Sequence, residues 1–191
     1  MLRKFWKSWS YFIVAILFGV LVRVFVVAPF TVPTGSMENT VMPGDTVMTL
    51  QLNIHPKRGD AVVFRDDFGW LPPTGKKQYL LKRVIAVGGD TVSWSEGDKH
   101  IKINGKPVDE SAYLSEDGVG NKEFSVTVPQ GKYFVMGDHR NHSGDSRYHL
   151  DDANNGLVNQ NQIKGVVMFT YWPFDRISAN INHEEVFKGV Q

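Results

Sequence analysis

The sequence predicts a mainly β fold: one N-terminal transmembrane helix, then an antiparallel β-rich domain carrying a small inserted β subdomain. Three observations predict it. A single apolar run, Tyr11 to Phe30, has the length of a bilayer span. Beyond it, short segments alternate between apolar and polar residues and almost never follow the helical period. Those segments end at Gly, Pro or Asn-Gly, the residues of tight turns. The chain divides accordingly into 1–10, 11–30 and 31–191, with about 90–128 as the inserted hairpin unit.

The run YFIVAILFGVLVRVFVVAPF rises about 1.5 Å per residue as a helix, which matches the roughly 30 Å hydrocarbon core. Arg3, Lys4 and Lys7 precede it and Trp6 and Trp9 mark its edge, which orients the N-terminus to the cytoplasm and the remainder to the extracytoplasmic face. Arg23 lies past its middle and can reach the outer headgroups along its own stem. A cleavable signal peptide competes for this segment, but Pro29 would follow the bond at Ala28, and the run is long for such a peptide. The reading is an uncleaved, single-pass anchor in the cell membrane.

The remaining elements follow in order. Pro43-Gly44-Asp45 is a turn before a strand at Thr46–Leu52. Asp60–Arg65 is a second strand, followed by the loop Asp66–Gly75, apolar at Phe68-Gly69-Trp70-Leu71-Pro72, which suits either a bilayer surface or, through Trp70 and Leu71, a cover for the core. Tyr79–Val87 is a strong strand. Thr91–Ser95 and His100–Ile103 form a hairpin, and Asn104-Gly105 is a tight turn. Asp109–Lys122 reads as a flexible loop. Phe124–Val128 and Tyr133–Met136 flank Pro129-Gln130-Gly131, with Pro129 suited to position i+1 of a turn. Gly137–Asn161 is long, polar and without period, the mark of a functional or mobile loop. Gly165–Trp172 is the last strand.

Composition excludes several functions. The chain has 191 residues and no cysteine, so thiol nucleophiles, disulfides and Cys-based metal sites are absent. A formal net charge of +1 gives no basic field for nucleic acid.

Two residues carry candidate chemistry. Ser36 lies within about 20 Å of the end of the apolar run even on a fully extended chain. Its surroundings, Thr34-Gly35-Ser36-Met37-Glu38, fit neither G-x-S-x-G nor S-x-x-K, so a base from elsewhere in the chain must activate it. Lys82 shares a strand face with Leu80, Val84 and Ala86, where lost hydration lowers an amine's pKa and makes it a base. It could equally be a lysine that protects a sheet edge. Arg83 lies on the opposite face and stays charged. The segment Met136–Arg147 leaves three options open: a metal held by His139, His142 and Asp145, a histidine serving Ser36 in a triad, or a hydrogen-bonded loop with an Asp145–Arg147 pair.

The ordered set of an anchor, TGSMENT, LKRVIAVGGD and GDHRNHSGDSR resembles the bacterial type I signal peptidases over most of the chain. The resemblance implies a membrane-bound Ser/Lys endopeptidase that removes signal peptides from exported preproteins and needs no cofactor or metal. It implies Ser36 as nucleophile, Lys82 as general base, and the Ser36 N–H with the Thr34 hydroxyl as oxyanion donors. It gives Ser143 as the hydroxyl that orients the lysine, with Asp145, Arg147, Asp138 and Arg140 as structural support. Three positions depart from the family pattern: Asn39 stands where Pro is usual, His139 where Asn is common, and Gly88 in place of a Leu-Pro-Gly-Asp arrangement. The implied partners are preproteins and the lipid bilayer. A self-cleaving Ser/Lys repressor is disfavoured by an anchor where a DNA-binding segment would lie. A membrane-anchored binding or scaffold module without catalysis is the alternative.

Overall fold

The computed structural model describes residues 2–52, 54–115, 118–120 and 122–190. Parts of the loop expected at Asp109–Lys122 therefore lie outside the described residues. One long helix, α1 (Leu2–Phe25), leads into a seven-stranded sheet. Its strands are β1 (Val27–Thr31), β2 (Thr46–Leu50), β3 (Ala61–Arg65), β4 (Tyr79–Val87), β9 (Lys132–Met136), β10 (Val158–Asn159) and β11 (Ile163–Trp172). They run in the order β1-β2-β11-β3-β4-β9-β10. Between β4 and β9 the chain builds a second, four-stranded sheet from β5 (Thr91–Trp94), β6 (Ile101–Ile103), β7 (Lys106–Val108) and β8 (Phe124–Thr127). Every strand pairing is antiparallel.

The apolar run does not stay helical to Phe30. Helix α1 ends at Phe25, and Val27–Thr31 becomes a strand paired with β2, Val27 opposite Leu50 and Thr31 opposite Thr46. Val26, Val27 and Pro29 explain the change. Branched side chains favour extended backbone, and proline, which has no N–H to give, is tolerated on an edge strand, which β1 is. Among the described residues no helix is long and apolar enough to cross a membrane. The expected transmembrane helix is therefore unconfirmed by the fold. Arg23 donates to the carbonyl of Val27 at 3.5 Å.

Strand β4 has the bounds its sequence predicts. It is central, between β3 and β9, and is buried on both faces from Leu80 to Ala86, which is why its sequence is apolar with little alternation. Leu80 and Val84 join one core cluster, whereas Ala86 packs with Ile85 in another, past a register shift between Val84 and Ala86. Ala86 thus leaves the Lys82 neighbourhood expected for it. The turn between β6 and β7 has φ of 52° at Asn104 and 79° at Gly105, the mirror-image turn that suits a hairpin's twist. Pro129 occupies position i of its turn, with Lys132 N–H donating to its carbonyl and Gly131 at φ 74° in position i+2.

Two loops have alternative readings that the fold distinguishes. The Asp66 carboxylate accepts the backbone N–H groups of Phe68, Gly69, Trp70 and Leu71, which curls the β3–β4 loop inward. Trp70 then stacks on His149 at 4.5 Å and meets Phe64 edge-on at 5.6 Å. Trp70 and Leu71 cover the core rather than face a bilayer; Phe68 alone of the three is exposed. The segment 137–161 is not loose either, since it contains helical turns at Arg140–His142 and Ser146–Tyr148 and several fully buried charges.

Candidate active site

Ser36 follows β1 in a tight turn. Glu38 N–H donates to Gly35 O and Val41 N–H to Met37 O. Met37 and Val41 are fully buried with Val47, Ala61, Val63 and Leu81, so apolar burial on both sides pins the turn against the sheet. Ser36 itself is 7% exposed.

Strand β4 delivers Lys82, 2% exposed, to the same place. Lys82 Nζ lies 2.5 Å from Ser36 Oγ. Burial pushes the Lys82 amine down from 10.5 to about 8; the charges of Asp145 and Asp138 oppose the drop and that of Arg147 adds to it. Near that pH a substantial fraction is neutral and can accept a proton from the hydroxyl it touches.

The other expected residues surround this pair. Asp145 is fully buried and accepts from Arg147 Nε and a terminal guanidinium nitrogen, both at 2.8 Å, from Gly137 N–H at 3.0 Å and from Ser143 Oγ at 2.7 Å. Burial pulls its carboxyl upward, but Arg147 and the two other donors outweigh this and hold it below the usual carboxylate range. The Ser143 hydroxyl donates to Asp145, which leaves its oxygen lone pairs free to accept. Thr34 is exposed on the approach to Ser36. The Ser36 N–H donates to no acceptor among the described residues, which leaves it available to a developing oxyanion.

Asp138 and Arg140 are supports, with partners the sequence did not announce. Asp138 accepts Arg83 Nε at 2.8 Å and the Thr40 hydroxyl at 2.6 Å. Arg83 also donates to the carbonyls of Gly59 and Ile181 and lies over the Tyr113 ring at 4.2 Å. Arg140 makes a bidentate pair with Glu110, at 2.8 and 2.6 Å, and donates to Gly137 O. Thr40, Arg83, Glu110 and Tyr113 thus belong to the framework. No local pattern marks Thr40 or Glu110. Arg83 carried a signal, a charge inside an apolar strand, which requires a buried partner.

The histidine alternatives fare differently. His139 meets Glu38 at 3.1 Å and His142 at 2.6 Å between ring nitrogens. The backbone N–H of His139 donates to the Ser36 carbonyl at 3.2 Å. Ser36 Oγ has the lysine as its partner. Among the described residues no group of three His, Cys, Asp or Glu side chains is placed to hold a metal.

Gly137 is where the two halves of the site close. A Cβ there would come within 2.3 Å of Ser143 Oγ and 2.4 Å of the Ser36 carbonyl. Gly137→Ala should force the serine turn and the 143–147 segment apart, at a cost of about 1–3 kcal/mol in stability. Cleavage should fall by more than the stability loss explains, which rate measurement well below the melting temperature would show. Unchanged turnover would mean that the contact is not needed for activity.

The comparisons agree on one family. The signal peptidase, peptidase S26 family matches residues 5–172. A signal peptidase I of Bacillus licheniformis is 37% identical over 177 residues, covering 86% of this chain and 87% of that protein. Signal peptidase I S of Bacillus subtilis (strain 168) is 35% identical over 178 residues, 86% of this chain and 88% of its own. A solved signal peptidase I from Enterococcus faecalis V583 aligns at 30% identity with a TM-score of 0.42, over 59% of this chain and 97% of that one.

Proposed function

The chain belongs to the signal peptidase S26 family and is a signal peptidase, and on that premise we propose that Ser36 and Lys82 form the dyad with which it cuts signal peptides from exported preproteins. The observation that carries the reading is the 2.5 Å contact between the Ser36 hydroxyl and a buried lysine. Neutral Lys82 takes the Ser36 proton as Oγ attacks the scissile carbonyl. The oxyanion receives hydrogen bonds from the Ser36 N–H and the Thr34 hydroxyl. The ammonium then gives its proton to the leaving amine, and water repeats the sequence on the acyl-enzyme. Ser143, Asp145 and Arg147 fix a negative charge beside the lysine, while Asp138 and Arg140 hold the serine turn and the loop above it.

We assign α1 the role of membrane anchor, with the N-terminus cytoplasmic and the β domain extracytoplasmic. Every described side chain from Tyr11 to Leu21 is exposed, and nearly all are apolar. A helix that is apolar all round requires apolar surroundings, and the domain does not supply them. The relatives' signal peptidase activity fits a substrate that arrives at a membrane. A scaffold module without catalysis explains the anchor but leaves a buried lysine against a serine without a purpose.

Preprotein cleavage across pH tests the dyad. Protonated Lys82 is inactive as a base, so kcat/KM should rise about tenfold per pH unit and level off near the lysine's value of about 8. His139→Ala and His142→Ala should keep that profile. A profile that levels off near the ordinary histidine value of about 6.5, and is lost in one of those variants, would transfer the base role to histidine.

A further inference from the structure

We propose that Asn39 is a positioning residue for the cleavage reaction, its amide strapping the Ser36 turn to the loop that follows β7. The proposal rests on the Ser36–Lys82 reading above. Asn39 lies three positions after the nucleophile and adopts φ of 82°, a left-handed conformation that Asn tolerates better than most residues. In that conformation its Nδ2 donates to the carbonyls of Tyr113 at 3.2 Å and Leu114 at 3.0 Å. A proline, usual at this position in the family that the sequence resembles, could supply neither the φ nor the donor.

The strap is fastened to something rigid. Tyr113 donates to Glu110 at 2.5 Å, Glu110 is paired with buried Arg140, and Ser115 N–H donates to Asp138 O at 3.3 Å. Other holds on the turn come from β4, through Lys82 to Ser36 Oγ and Arg83 to the Thr40 hydroxyl, and from the segment after β9, where Asp138 accepts the Thr40 hydroxyl and His139 N–H donates to Ser36 O. Asn39 adds a hold from a separate part of the chain, the loop leaving the four-stranded sheet. With both in place, the turn is fixed from two sides, and rotation of Ser36 away from Lys82 is opposed. Without the strap the turn stays folded through Met37 and Val41, but the hydroxyl is less precisely held.

The test uses the full chain in detergent with one preprotein substrate, comparing Asn39→Gly, Asn39→Asp and Ser36→Ala. Glycine keeps the left-handed backbone and removes the amide, so kcat should fall about tenfold through looser placement of the Ser36 hydroxyl. KM should stay near wild type, and because Asn39 is exposed the melting temperature should fall by only a few degrees, too little to unfold the enzyme at the assay temperature. Asn39→Asp sets a carboxylate against two carbonyl oxygens and should lose more kcat than glycine. Wild-type kcat in Asn39→Gly, a rise in KM with kcat unchanged, or a kcat loss that merely follows a fall in melting temperature would each overturn the proposal. If Ser36→Ala still cleaves, the dyad reading itself fails, and this inference falls with it. If Ser36→Ala is inactive while Asn39→Gly is wild type, only the strap is wrong.

Discussion

Lys82→Met is expected to abolish preprotein cleavage and, at neutral pH, to raise the melting temperature. The two effects have one cause. Lys82 is 2% exposed, and burial lowers its amine from 10.5 to about 8. That difference corresponds to about 3 kcal/mol of penalty on the ammonium in the folded chain. Between pH 8 and 10.5 the unfolded chain binds a proton that the folded chain does not. The lysine's penalty on stability is therefore full below about pH 8 and is relieved as pH rises through that window. Methionine keeps similar bulk without a charge to bury, and it cannot accept the Ser36 proton. Its gain in stability should be largest at pH 7 and shrink towards pH 10, which thermal melts at the two pH values would show. Lys82→Arg should also be inactive, since a guanidinium stays protonated, and it should be destabilised rather than stabilised. Ser36→Ala should be equally inactive with near-wild-type stability. Cleavage by Lys82→Met would overturn the dyad.

Asp138→Ala should produce the largest loss of stability of any single change at the site. Asp138 and Arg83 are both fully buried and bonded through Nε and a terminal nitrogen, at 2.8 and 2.5 Å. Removing the carboxylate leaves a guanidinium in the core with the carbonyls of Gly59 and Ile181, the Thr40 hydroxyl and the Tyr113 ring face as partners but no anion in contact. Breaking a buried pair from one side costs about 3–5 kcal/mol, a large part of a typical domain's 5–15 kcal/mol. The melting temperature should fall by about 10 °C. Adding Arg83→Met should recover part of this, because the double variant no longer buries a lone charge. A double variant less stable than Asp138→Ala alone would mean that Arg83 contributes through its carbonyl bonds and not through the ion pair.

The parts legible in the sequence were those determined by near neighbours. Strand β4 was read to its ends because Tyr79–Val87 is an unbroken β-favouring run closed by Gly88-Gly89. Its lysine stood out as a charge among apolar residues, although position alone left its role open and the resemblance supplied the pairing with Ser36. Strand β1 was misread because a short apolar run looks the same as the end of a helix; the partner that decides, β2, lies beyond the Ser36 turn. The segment from Gly137 read as functional or mobile without a choice between them, because its polar residues find their partners far away. Arg140 needs Glu110 and Asp138 needs Arg83, thirty or more positions distant. The donation of the Ser143 hydroxyl to Asp145, two residues on, was also not read from the sequence, which paired Asp145 with Arg147 alone. Trp70 shows the same limit, since nothing local reveals that four N–H groups will fold around Asp66.

Helix α1 ends at Phe25 and β1 begins at Val27, and the residue between is itself bound, its carbonyl accepting from Gln51 N–H at 2.8 Å. There is no slack at this joint. With α1 in a bilayer, the sheet cannot swing freely from its anchor, and the height of Ser36 above the end of the helix is set by the length of β1 and the few residues after it, each about 3.3 Å when extended. On the proposed reading of α1 as an anchor, the molecule would work as a depth gauge, in which the distance of a peptide bond from the hydrocarbon would count alongside the side chains of the substrate. Residues inserted at Val26 would recalibrate the gauge without touching the dyad.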